Sequence, residues 1–268
     1  MLRFSGSEYY PAIGRGSGLN ECLNSKLPIF SIDQGTKGAK KFFACGYERF
    51  IELYEKLCAD TNGLTKPHMY EVLHYELPSK IYLDIDAKIG QYNGIENTLS
   101  TFLYHCINKL TEIFQTQFSP DDLMILNASN NEKVSYHVIF QCFVRNICTV
   151  KEIVQLMIRS CNNYDIISKL VDLSVYSRNR SFRLLYSTKK GKNNMLRVHN
   201  NSSGSYDRYD VFNSLIQAKL IKDYHGHLTK TLFRSRHNSV YDINGNVRNV
   251  KVGSVLKTTA GICTLPPR

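Results

Sequence analysis

Apolar and polar residues alternate most clearly over residues 80–86, Lys-Ile-Tyr-Leu-Asp-Ile-Asp. Ile81, Leu83 and Ile85 alternate with Asp84 and Asp86, which predicts a strand with one apolar face. Since successive side chains of a strand point to opposite faces, the two aspartates share a face. Two carboxylates so near to each other repel unless a cation or strong hydrogen-bond donors lie between them. The pair is either an anchor for divalent metal or two solvated aspartates at a strand end.

Apolar spacing elsewhere predicts further helices and strands. Helices are predicted at residues 47–57, at residues 94–118 with one apolar stripe for the core, after a cap at Thr149, and around residues 211–220. Strands are predicted at residues 69–77, 123–126, 133–140, 171–176, 182–187 and 195–199. Residues 1–25 and the stretch from Thr229 onward show no clear pattern. The mixture predicts the α+β class, with helices flanking mostly antiparallel sheets.

Length and composition fit one large domain or two small lobes: the chain has 268 residues, of which 43% are hydrophobic. No run of about 18 apolar residues exists, so no transmembrane helix is expected. The start of the chain lacks an apolar signal-peptide core and only faintly suggests a mitochondrial presequence. Eight cysteines contain no CxxC pair, which argues against a zinc site and a disulfide framework and favours an intracellular compartment.

The charge balance is strongly basic. Lysine and arginine number 34 against 23 acids, a net charge of +11. This surplus favours a polyanionic partner, with nucleic acid ahead of an anionic membrane surface, although an ordinary basic protein has the same balance.

Two further segments place polar side chains together. In the strand at 133–140, period-2 alternation puts Lys133, Ser135 and His137 on one face. These donors suit phosphate oxygens, although a lone strand histidine is also common in cores. In the next segment Asp172 lies between the apolar residues of a predicted buried strand and supplies a third carboxylate. Six basic residues follow it: Arg178, Arg180, Arg183, Lys189, Lys190 and Lys192. They either bind phosphate or form a solvated basic hairpin.

Three carboxylates beside basic donors match the needs of two-metal phosphoryl transfer. Magnesium suits such a site because it takes a few carboxylates and completes its octahedron with water and phosphate oxygens.

Three ordered blocks, residues 82–86, 132–140 and 171–189, resemble the motifs of archaeo-eukaryotic primases. The third block is especially similar to the eukaryotic primase-polymerase (PrimPol) branch and its relatives in large DNA viruses. The resemblance covers about residues 66–198. It implies a two-lobed catalytic core, with a template-contacting N-terminal lobe at residues 1–78 and a catalytic lobe at residues 79–268.

The same resemblance implies a role for each matching residue. Asp84, Asp86 and Asp172 would be catalytic and would hold two divalent ions, Mg²⁺ or Mn²⁺. The nucleotide's phosphates would be bound by a second set of residues, Lys133, Ser135, His137, Arg180, Arg183 and Lys189. The implied activity is template-directed nucleotidyl transfer from a nucleoside triphosphate to a 3′-hydroxyl, in DNA replication, repriming or damage tolerance.

The resemblance also implies partners and a location. Single-stranded DNA template, primer and nucleoside triphosphates would bind, a helicase or single-strand-binding protein would assist, and no membrane is expected. The enzyme would work in the nucleus or mitochondrion of a cell, or in the host cell of a virus.

The chain departs from the family pattern in three respects. Asp86 stands where many relatives carry glutamate, and the insertion that some relatives carry between the second and third motifs is absent. Only Cys263 lies near the end, where the family's C-terminal zinc module would be expected. We therefore expect no zinc, and primer extension is better supported than de novo priming. The alternatives are a non-catalytic subunit that binds single-stranded DNA or a helicase, and a metal-dependent nuclease.

Overall fold

A computed structural model of the chain describes residues 18–25, 27–34, 39–59, 67–199 and 206–218, and the backbone of residues 239–241 and 247–249. The predictions for residues 1–17 and for most of the stretch after Thr229 lie outside these residues. Among the described residues, no helix is long and apolar enough to span a membrane.

Helices and strands alternate through the described chain. The helices are α1 Gly18–Asn24, α2 Tyr47–Ala59, α3 Ile95–Phe114, α4 Ile147–Ser160, α5 Tyr164–Leu170 and α6 Arg208–Ser214, with 3₁₀ helices at Pro120–Asp122 and Leu173–Tyr176. The strands are β1 Ile29–Gln34, β2 Ala39–Ala44, β3 Met69–Leu73, β4 Ser79–Lys88, β5 Leu123–Asn127, β6 Lys133–Val144, β7 Arg180–Arg183, β8 Arg197–Val198, β9 Ser239–Tyr241 and β10 Val247–Asn249.

The strands form two antiparallel sheets, so the predicted α+β class is confirmed. The first sheet has the order β2-β1-β3-β7, and the second has the order β10-β9-β6-β5-β8 with β4 paired to β6. The first sheet thus takes its edge strand β7 from far along the chain, beyond residue 78. The division into lobes at that residue stays a prediction.

Strand β4 is held from its apolar face. Ile81, Leu83 and Ile85 are at most 1% exposed, and helix α4 packs against the strand. Burying each of these side chains stabilises the fold by about 2 kcal/mol. The opposite face is thereby fixed, and it presents Asp84 and Asp86, which remain partly exposed.

Several element predictions are corrected. Helix α3 buries its predicted stripe, but it ends at Phe114 because Gln115 adopts a left-handed conformation with φ 47°. Asn146, not Thr149, caps α4, because its side chain accepts the backbone N–H of Thr149. The last predicted helix is shorter and begins earlier, at Arg208, because Asp207 caps it.

The strand predicted at residues 171–176 is wrong. Only Val171 makes a bridge, to Ile85, and the chain then turns into the 3₁₀ helix. The side chain of Asp172 accepts the backbone N–H of Ser174 at 2.8 Å and so begins that helix. Asx side chains favour such turns because they satisfy a nearby backbone donor.

Candidate active site

A cavity of about 440 Å³ opens between the two sheets. Its lining residues come from both sheets and from the connection before β7: Lys40, Tyr70, Asp84, Asp86, Ser135, His137, Val175, Ser177, Arg178, Asn179, Arg180, Ser181, Phe182, Arg183 and Lys189. Most of the predicted site residues are therefore in one place. The other two, Lys133 and Asp172, lie beside the lining aspartates.

The pairing of β4 with β6 sets the centre of the site. In this antiparallel register, Asp84 lies opposite His137 and Asp86 lies opposite Ser135. Side chains of directly opposed residues stand on the same face of a sheet. The first two predicted motifs thus meet as one polar surface of four side chains.

The backbone of Asp172 is hydrogen-bonded to β4 beside this surface. Its N–H donates to the carbonyl oxygen of Asp84 at 2.9 Å, beside the bridge at Val171. Two tyrosines fix the following 3₁₀ helix against β4: the hydroxyl of Tyr82 donates to the carbonyl of Val175, and the hydroxyl of Tyr176 donates to the carbonyl of Tyr82. The third predicted carboxylate is thus anchored next to the first.

The carboxylates repel one another. Burial, the charge of Asp86 and that of Asp172 raise the pKa of Asp84 to about 6, although Lys189 and Arg183 oppose the shift. The buried Oδ1 of Asp86 has no hydrogen-bond partner among the described residues. Both features suit a site for a divalent cation, which would relieve the repulsion and occupy the oxygen without a partner.

The side chains of the site are not arranged as a preformed metal-binding site. In the described part of the chain, no group of three or more His, Cys, Asp or Glu side chains is arranged to hold a metal ion. The Nζ of Lys133 lies 2.6 Å from Oδ2 of Asp86. This lysine was predicted to bind phosphate, and it pairs here with a predicted metal ligand.

The surroundings of His137 disfavour its charged form. Burial and the nearby cations Arg183 and Lys189 hold the pKa of His137 well below its usual range. Its Nε2 lies 3.7 Å from Oδ1 of Asp84, and its ring packs against Phe182 with 4.3 Å between centroids. A neutral imidazole at this position can donate one hydrogen bond to an anionic ligand.

Arg183 and Lys189 form the basic side of the cavity. Arg183 is 6% exposed, and its guanidinium donates to the carbonyl of Asn194 at 3.3 Å. Lys189 lies at the cavity mouth, where partial burial and then the charge of Arg183 lower its pKa. Arg180 is exposed and lines the same cavity. A wall that combines the forked guanidinium groups of arginine with the compact ammonium group of lysine is suited to bind a polyphosphate.

Sequence reasoning did not assign Lys40 and Tyr70 to the site. Asp33 holds both: the ammonium of Lys40 donates to it at 2.6 Å and the hydroxyl of Tyr70 at 2.7 Å. Burial alone would raise the pKa of Asp33, but these hydrogen bonds lower it below its usual value. The ammonium of Lys40 also lies 3.2 Å from the ring centre of Tyr70.

Comparison with known proteins gives a distant similarity. No protein-family model matches the chain. A DNA-directed primase/polymerase protein from Danio rerio is 23% identical over 218 residues, which cover 64% of this chain and 41% of that protein. The chain therefore spans less than half of the relative's length. The similarity is consistent with the primase-like resemblance of the three motifs.

Proposed function

We propose that this chain is the catalytic core of a DNA primase-polymerase. It would transfer a nucleotide from a nucleoside triphosphate to a 3′-hydroxyl and release pyrophosphate. One observation carries the proposal: the paired carboxylates Asp84 and Asp86 face the cations Arg183 and Lys189 across one cavity. Phosphoryl transfer needs this combination, because charge develops on the transferred group while the polyphosphate must be held. The distant primase/polymerase relative supports the same reaction class.

The metal-binding residues in this proposal are Asp84, Asp86 and Asp172. Two bound Mg²⁺ or Mn²⁺ ions would supply Lewis-acid stabilisation of the attacking and leaving oxygens. Two observations support the inclusion of Asp172: its backbone N–H donates to the carbonyl of Asp84, and its charge raises the pKa of Asp84.

The remaining polar residues bind and orient the nucleotide. Arg183 would grip the triphosphate with its fork, Lys189 would add a mobile charge at the mouth, and Arg180 would extend this wall. Ser135 and neutral His137 would donate hydrogen bonds to phosphate oxygens from the face of β6. Lys133 would act mainly on Asp86, with which it pairs.

The basic wall favours a polymerase over a nuclease. A nuclease uses water as the nucleophile and needs no site for a triphosphate. The charge of Arg183 is buried beside the cavity at a considerable cost in desolvation free energy, which binding of a triphosphate would offset. A purely DNA-binding subunit would gain nothing from the mutual repulsion of Asp84 and Asp86, because both charges oppose a polyanion. Template, primer, and a helicase or single-strand-binding protein are the partners that the proposal implies.

The test is synthesis on circular single-stranded DNA with labelled nucleotides and Mg²⁺ or Mn²⁺, with and without an annealed primer. We expect extension of the primer, and loss of product in Asp84→Asn. Asp121→Asn, which changes an exposed aspartate outside the cavity, is the matched control and should be fully active. Products without a primer would add de novo priming. The absence of synthesis by the wild-type chain under all these conditions would refute the proposal.

A further inference from the structure

The positive charge of the chain is concentrated in one segment. Residues 173–206 contain none of the 23 acids, but they contain seven of the 34 lysines and arginines: Arg178, Arg180, Arg183, Lys189, Lys190, Lys192 and Arg197. The proposed triphosphate wall uses Arg180, Arg183 and Lys189. A second group of cations, Lys190, Lys192 and Arg197, is left beyond the cavity, and we call it the basic ridge.

The basic ridge is exposed and has no acidic partner. All three side chains are exposed, and within the described ranges none forms an ion pair with a carboxylate. Their ammonium and guanidinium groups are therefore available to an external anion. Unneutralised cations grouped on one surface attract polyanions.

The ridge is held in a defined position. The backbone of Lys190 lies close to the carboxylate of Asp33 in the first sheet and helps to lower its pKa. The N–H of Lys192 donates to the carbonyl of Lys189 at 2.9 Å, closing a tight turn in which Gly191 has φ +76°. A residue with a side chain would be strained at that φ, so glycine permits the turn. The lysines are thus presented on an ordered turn.

A second cavity of about 330 Å³ lies beside the ridge. Arg197 lines it, together with Asn127, Ser129, Asn194 and His199, and Lys192 immediately precedes further lining residues. Amide and hydroxyl groups both donate and accept hydrogen bonds, as base edges require. The imidazole of His199 offers a ring on which a base can stack.

Only a thin wall separates this cavity from the candidate active site. Asn194 lines the second cavity, and its carbonyl accepts from Arg183 of the first. Likewise, Ser129 of the second cavity accepts the backbone N–H of Ser135 at 2.9 Å. A nucleic-acid strand bound in the second cavity would therefore be separated from a nucleotide in the first cavity by one layer of residues.

We propose that the basic ridge binds the phosphates of a single-stranded DNA segment whose bases enter the second cavity. The choice of DNA rests on the proposed function, which requires a single-stranded template. The contacts fit any base, because backbone phosphates supply the affinity and amides adapt to different base edges. The ridge is distinct from the triphosphate wall, and neither Lys192 nor Arg197 lines the catalytic cavity.

The test compares Lys192→Ala/Arg197→Ala with a control of equal charge change, Arg159→Ala/Lys169→Ala. The control residues are exposed on α4 and α5 and line neither cavity. Affinity for a labelled oligothymidylate is measured by anisotropy over a range of salt concentrations. Each lost phosphate contact should weaken binding by roughly 5-fold near 0.1 M salt and make the salt slope shallower by about 0.7.

We therefore expect the ridge variant to bind about 20- to 30-fold more weakly than wild type, with its salt slope reduced by about 1.4. Nucleotide affinity, measured separately with a labelled triphosphate, should be unchanged. A loss equal to that of the control variant, or a wild-type chain that does not bind the oligonucleotide, would overturn the proposal. DNA binding that depends on the ridge in a chain without polymerase activity would refute the proposed function and leave the ridge assignment standing.

Discussion

Asp172 is joined to Asp84 by a hydrogen bond from its backbone N–H to the carbonyl oxygen at 2.9 Å, while its own carboxylate caps the 3₁₀ helix at Ser174. One aspartate therefore serves two purposes. Its backbone sets the position of the third motif on β4, and its side chain starts the following turn.

These two roles can be separated by choice of substitution. Asp172→Asn keeps a capping oxygen and removes the charge, so it should fold as stably as wild type but lose synthesis by about 100-fold or more. Asp172→Ala should lose synthesis and also about 1 kcal/mol of stability, because the cap is gone. Primer extension and thermal unfolding measure the two effects. Full activity in Asp172→Asn would remove this residue from the proposed metal site.

Arg183→Ala should act mainly on the nucleotide. Removing a charge-assisted contact to phosphate should lower kcat/KM for the nucleoside triphosphate by about 10- to 100-fold, chiefly through KM. Arg183→Lys should recover part of the loss, because the charge returns without the fork. Steady-state kinetics at varied nucleotide concentration gives both constants, and Arg159→Ala is the control. An unchanged nucleotide dependence would make Arg183 a structural residue.

The buried pair Glu71 and Lys80 should make stability depend on pH. Burial raises the pKa of Glu71 from 4.5 to about 7, although N–H groups of Ile216 and Gln217 donate to it. Burial lowers the pKa of Lys80 from 10.5 to about 7, although the charge of Glu71 opposes the shift. The folded state therefore binds more protons than the unfolded state between pH 4.5 and 7, and fewer between pH 7 and 10.5.

Stability should accordingly fall as pH rises toward 7 and recover above it. Glu71→Gln should flatten the acid limb, which amounts to at most about 3 kcal/mol, and Lys80→Met should flatten the alkaline limb. Urea unfolding across this pH range gives the slopes, with Glu76→Gln as an exposed control. A wild-type curve without a minimum near neutrality would contradict this prediction.

Asn146→Ala should lower the free energy of unfolding by about 1 kcal/mol, because its side chain accepts both the N–H and the hydroxyl of Thr149 at the start of α4. Thr149→Val removes only the hydroxyl and should cost less. Chemical denaturation measures both. If Thr149→Val lowered the free energy of unfolding more than Asn146→Ala, the original prediction that Thr149 caps α4 would be supported instead. Neither variant should alter synthesis, since both residues lie outside the cavity.

Local alternation predicted which side chains share a face of each strand at the centre of the candidate site. Period-2 patterns placed Asp84 with Asp86 and Ser135 with His137, and the pairing of β4 with β6 then brought the two patterns together. Local alternation failed at residues 171–176, where the capping side chain of Asp172 outweighs strand propensity. A single aspartate between apolar residues fits either outcome.

Lys40 and Tyr70 could not be predicted from local pattern. They enter the cavity because β1 pairs with β2 and β3 on its two sides, and β3 pairs with β7. In that register Asp33 lies opposite Lys40, and Tyr70 lies opposite Arg183. Such neighbours depend on contacts between distant parts of the chain, and no motif in either strand signals them.

The insertion of β7 at the edge of the first sheet has a consequence for dissecting the molecule. A fragment that ended at residue 78 would lack the partner of β3, and it would expose the backbone donors and acceptors of that strand. The complementary fragment would carry Arg180 and Arg183 on a strand with no sheet to join. The two halves should therefore be inactive and prone to aggregate when expressed apart, and co-expression should be needed to reconstitute a working molecule.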